Sequence, residues 1–176
     1  MEMSLKEFWT VMHGMGFGAV YLLAFAGGLA GLYSFRPELV TPAGDLERAR
    51  RLKIGMWVMA AMAWFAVISG TWLVYIWYRA KPVPGVDLEN FPRYYLLSSH
   101  STAGWHEFGM EWKEHVAWLV PMVATTIALV VQHYGRRLWE LTTIRKALMW
   151  LLVISFGAAG VAGVFGAFIN KVAGTR

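Results

Sequence analysis

None of the 176 residues is cysteine. That absence excludes disulfides, thiolate zinc sites, cysteine-ligated iron–sulfur clusters and C-x-x-C-H attachment of c-type heme. Charge is scarce too: 15% of the residues are Asp, Glu, Lys or Arg, against about 25% in a soluble domain. The formal net charge of +5 does not point to a nucleic acid, because the basic residues flank apolar runs, where they act as topology signals. There is no G-x-G-x-x-G, P-loop or Ser-His-Asp spacing and no polar pore-lining row. A transporter would carry a midplane ionisable residue or a broken helix, and neither is evident. The lead segment holds Glu2, Lys6 and Glu7, so it lacks the basic start of a cleavable signal peptide, and the apolar run after it is longer than such a peptide's core.

What is abundant is apolar and aromatic surface. Phe8–Phe35, Ile54–Tyr78 and Ala147–Asn170 carry no Asp, Glu, Lys or Arg. Val116–Gln132 is shorter and becomes adequate when His115 and His133 are counted as its ends. A spanning helix needs about 20 mainly apolar residues, so the expected fold is all-α: a four-transmembrane-helix bundle forming one membrane domain. Trp9, Tyr33, Trp57, Trp77, Tyr78, Trp112, Trp118, Tyr134 and Trp150 crowd the expected ends as an interfacial belt. The 79–114 connection opens with Lys81-Pro82-Val83-Pro84-Gly85, which cannot be helical. From about Ala103 its pattern turns helical, and a short interfacial helix running into the third span is expected.

Orientation follows from Lys and Arg. The connections Arg36–Lys53 and Tyr134–Lys146 hold nine basic and four acidic residues, while the other side holds seven of each over more chain. The first side is therefore expected to be cytoplasmic and both termini periplasmic, in a bacterial inner membrane.

Four of the five histidines, His13, His100, His106 and His115, then fall on the outer side. Histidine near hydrocarbon is a functional candidate by default, and without cysteine it is the strongest cofactor ligand present. His13 lies about one and a half turns, roughly 8 Å, inside the first span. At ideal helical spacing it shares a face with Gly16, Val20, Ala24, Gly27 and Gly31. That groove admits either a flat macrocycle or a neighbouring helix. His115 heads the third span on the same side. Bundles build cofactor sites from facing helices, so His13 and His115 are the expected axial pair of a heme b, with Gly16 and Gly27 beside the macrocycle. His100 or His106 is an alternative second ligand opposite His13; nine residues from His115, His106 lies on the opposite side of a continuous helix unless Gly109 allows a break. His133 follows His115 by eighteen residues and shares its face, which invites a second heme, yet no other histidine stands on that side to complete it.

Two further constellations are weaker. Glu107, Glu111 and Glu114 lack the Glu-x-x-His spacing of dinuclear centres. Met12, Met15 and Met110 with His13 suit copper, but methionine is also an ordinary gap filler. Gly157, Gly160, Gly163 and Gly166 mark a close-packing face on the fourth span.

On helix count and two histidines, the arrangement is similar in outline to small four-helix membrane b-type cytochromes. The expectation is a heme b subunit that passes electrons between a periplasmic redox partner and quinone or another membrane subunit. The alternatives are a cofactor-free anchor of a membrane complex and an outer-face copper or non-heme iron site using His100, His106, Glu111 and His115.

Overall fold

The computed structural model describes residues 3–41 and 44–173; Glu2 of the charged lead lies outside them. The described residues contain no strand, and 85% of them are helical. Four helices are long and apolar enough to cross a membrane: α1 (Leu5–Ser34), α2 (Asp45–Tyr78), α4 (His100–Trp139) and α5 (Thr142–Val172). A short helix, α3 (Pro92–Leu97), lies in the connection between α2 and α4.

The helices run well past the uncharged stretches that announced them. α1 starts at a capping box: the Glu7 amide donates to Ser4 Oγ at 3.2 Å, and the Ser4 amide donates to Glu7 Oε2 at 2.8 Å. α2 begins nine residues before Ile54, because Ala49 and Leu52 are buried at helical spacing among Arg48, Arg50, Arg51 and Lys53. Asp45 and Glu47 in its first turn suit the positive helix end. α4 is helical from His100, through the charged stretch 107–115.

The four long helices pack in a ring, each against its neighbours in sequence, and α5 closes back on α1. The core between them is Phe25, Leu32, Leu52, Met56, Met59, Ala63, Ala124, Ile127, Val131, Leu148 and Leu152, with small residues where backbones approach. The polar tips inside are partnered. Tyr21 and Ser155 hydroxyls bond at 3.1 Å, and Trp64 Nε1 donates to Thr125 Oγ1 at 3.0 Å. Large apolar side chains such as Leu23, Ile68, Trp150 and Ile154 face outward. That much apolar surface would be a liability in water and is compatible with lipid.

At the end carrying the basic connections, Arg136 Nε donates to Asp45 Oδ2 at 2.8 Å beside a cavity of about 210 Å³. Buried Arg145 caps α4 by donating to the carbonyls of Leu138 and Trp139 at 3.1 and 2.9 Å. Gly135, at φ 50, turns the chain just before, a conformation that costs other residues more.

Candidate functional site

The opposite end, the histidine end, holds three π interruptions of the α-helical ladder among the described residues. π turns occupy Met12–Phe17 in α1, Gly70–Val74 in α2 and Trp105–Met110 in α4. Such turns insert extra backbone per turn, re-aim side chains and are frequent at functional sites. His13 is in the first, His106 in the third, and Gly70 of the second lies against His13.

His13 Nδ1 stands 2.7 Å from the Ala66 carbonyl. A carbonyl only accepts, so Nδ1 carries the proton and Nε2 presents a lone pair. Metal-bound histidines commonly have this arrangement, with the far nitrogen held by a carbonyl. Ser69 Oγ, itself donating to the Ala66 carbonyl at 3.1 Å, lies 3.4 Å from the same ring nitrogen. The ring is seated flush on Gly70: a Cβ there would come within 2.6 Å of Cε1. Glycine at 70 is therefore a steric requirement of the ring.

His115 is placed differently. Its side chain is 73% exposed, and Nδ1 faces the Glu111 carbonyl of its own helix at 2.9 Å. The residue turned inward at that level is Lys113. Its ammonium donates to the Ala162 carbonyl at 3.2 Å, a Cβ at Gly166 would lie 2.7 Å from Nζ, and its charge acts on His13. Two residues are more than half a helical turn, so seating Lys113 inside sends His115 out. The structure thus brings Lys113, and not His115, toward His13.

His106 is buried, with Nδ1 at 2.8 Å from the Tyr78 hydroxyl. It precedes Lys113 by seven residues, about 10 Å along the axis, so it belongs to a separate level nearer the helix ends. Of His106 and His115, one ring is buried and the other exposed. His100 and His133 are exposed, the latter edge-on to Tyr134. Gly16 lies against the Met12 side chain of its own helix, and a Cβ at Gly27 would meet nothing within 4 Å. The inward face of α1 is instead Tyr21, Phe25, Gly28 and Leu32. Among the described residues, no three of His, Asp and Glu gather as a metal site.

A heme iron with two protein ligands needs two facing nitrogens at one depth. His13 fits on the α1 side. On the α4 side, His115 has the depth and faces outward, while His106 faces inward about two turns away.

The level of His106 holds a cluster that the sequence did not single out. Tyr75 stacks on Tyr78 at 5.9 Å between ring centroids, and Arg79 lies over the Tyr75 ring at 5.1 Å. Arg93 of α3 and Glu114 of α4 both act on Tyr78 and His106. Buried Arg93 Nε and Glu114 Oε1 have no hydrogen-bond partner. These side chains come from stretches separated by turns and π backbone, so no periodicity in the sequence joins them.

Compared with models of protein families, with curated proteins and with solved structures, the chain matches none.

Proposed function

We propose that this chain is a membrane-embedded electron-transfer subunit that carries heme b at its histidine end, with His13 as an axial ligand. The observation that carries this reading is the preset imidazole: Nδ1 is fixed by the Ala66 carbonyl, the ring is pressed on Gly70, and among the described residues no hydrogen bond is made to the Nε2 lone pair. When bound, heme b supplies one-electron chemistry; the chain holds it, orients it and sets its surroundings. His115 is the second ligand in this reading and enters by rotation of the Glu111–His115 turn. That turn lies between the π turn Trp105–Met110 and a 3₁₀ turn at Val116–Trp118, the kind of mid-helix register change that marks hinges. The histidine end is the periplasmic side of a bacterial inner membrane, where a redox partner docks, and quinone exchanges electrons from the bilayer.

The test is a reduced-minus-oxidised spectrum of the purified full chain with a heme-to-protein ratio. A b-type α band that disappears in His13→Ala, and changes from low to high spin in His115→Ala, is the expected result. No band in the native chain sinks the reading.

A second reading, a cofactor-free anchor in a membrane complex, has its own observation. Cβ atoms built at Gly157, Gly160 and Gly163 would meet nothing within 4 Å, so the small-residue face of α5 is not used inside this chain and is available to another helix. Unchanged complex assembly and activity with both His13 and His115 replaced by Ala would favour it.

A further inference from the structure

We infer that Tyr75, Tyr78, Arg93, His106 and Glu114 form a binding site for the hydroxylated ring of a lipid-soluble quinol. The first reason is an unpaired pair. Arg93 and Glu114 carry opposite charges, and both act on Tyr78 and His106. Yet among the described residues they form no ion pair, and each keeps one buried polar atom, Nε and Oε1, without a partner. Buried polar atoms are normally hydrogen-bonded, and leaving a charged one unmet is costly. Two such atoms of complementary type around one tyrosine–histidine pair describe the outline of something that donates to a carboxylate and accepts from a guanidinium.

The second reason is the rigidity of the frame. Tyr78 and His106 are 5% and 8% exposed and hydrogen-bonded at 2.8 Å. Leu96 and Pro92 of α3 are fully buried against this end, and Thr102 Oγ1 donates to the Leu96 carbonyl at 2.7 Å, fixing the short helix that brings Arg93. The frame is held without the charged pair closing on itself. The third reason is shape: Tyr75, half-buried and stacked on buried Tyr78, offers a flat aromatic wall, which suits a planar ring. A ring with hydroxyl groups matches all three features. One hydroxyl donates to Glu114 Oε1, an oxygen accepts from Arg93 Nε, and the ring lies beside the tyrosines. The cluster sits near the end of helices whose outer surfaces suit lipid, so a tailed ligand can reach it from the bilayer.

The assignment of the ring as a quinol rests on the electron-transfer reading; the polar site does not. The test is isothermal titration of the full chain in detergent with a short-tailed benzoquinol and its quinone. Native mass spectrometry identifies co-purified lipid, and thermal melting checks folding. The native chain is expected to saturate at one quinol per chain. Glu114→Gln and Arg93→Gln are each expected to weaken quinol binding at least about tenfold. Glu114→Gln is expected to cost the quinone less, because a quinone has no hydroxyl to donate. Should either variant unfold, Tyr75→Leu, which removes a wall together with the hydroxyl that bonds Glu114, is expected to weaken both forms. Quinol affinity unchanged in the folded variants overturns the site, and so does retention of an anionic phospholipid through Arg93 with no quinol binding. Saturable binding in a chain that shows no heme band leaves this site standing and removes only the heme assignment.

Discussion

The seat of His13 on Gly70 gives the sharpest stability test. In Gly70→Ala the new Cβ would stand 2.6 Å from Cε1, 3.1 Å from Nδ1 and 3.3 Å from Nε2. The first distance is inside van der Waals contact, so something must move. The ring is tethered by its 2.7 Å bond to Ala66, and swinging away breaks that bond. A hydrogen bond of this kind contributes about 1 kcal/mol net, and overpacking costs about 1–3 kcal/mol. Ala is favoured over Gly within a helix by up to about 1 kcal/mol, which offsets part of it. A net destabilisation of about 2 kcal/mol is expected. The decisive measurement is a double-mutant cycle with His13→Ala, read by reversible denaturation in mixed micelles. Without the ring, the alanine meets no clash, so Gly70→Ala should become neutral or stabilising. The coupling should be about 2–3 kcal/mol, well above the few tenths expected of independent sites. Additive effects would refute the seat. Gly166→Ala is an internal contrast: its clash is with the tip of Lys113, a flexible chain that yields, so a cost below about 1 kcal/mol is expected.

Two more substitutions test the basic end. Arg145→Met should destabilise by about 2 kcal/mol, because buried Arg145 is the donor to the Leu138 and Trp139 carbonyls that end α4, and methionine leaves both unmet; a denaturation midpoint equal to the native one would count against that cap. Gly135→Ala should cost about 1–3 kcal/mol, since φ 50 with ψ −121 is open chiefly to glycine, and a neutral result in the same assay would mean that the turn reshapes freely.

The helices were legible because hydropathy over 20 residues is a strong signal, and the four long apolar helices coincide with the four uncharged stretches. Their ends were less so. Reading a span as an uncharged run stops α2 at Ile54 and α4 at His115, whereas the backbone continues to Asp45 and His100, because a helix tolerates charge on any face that is not packed. The site suffered from a deeper problem. Placing His13 with Gly16, Val20, Ala24, Gly27 and Gly31 assumes a constant period of 3.6 residues. The π turn at Met12–Phe17, which contains the histidine, breaks that period, and the packed face continues through Tyr21, Phe25, Gly28 and Leu32. In α4, the depth of His115 follows from rise per residue and was foreseeable. The direction of its ring depends on the accumulated rotation through the π turn and the 3₁₀ turn flanking it. Each interruption shifts the phase of everything beyond it, and neither leaves a mark in composition. Lys113 carries no signal of its own in the sequence, because a lysine beside three glutamates reads as a solvated face. Its inward position becomes intelligible only once Gly166, 53 residues further along the chain on another helix, is seen to vacate the space for its ammonium. The glycines of this protein thus do two separate things: Gly70 and Gly166 make room for polar side chains inside the bundle, while Gly157, Gly160 and Gly163 leave a bare strip outside it. Spacing along the sequence treats both groups alike; only the positions of the neighbouring helices tell them apart.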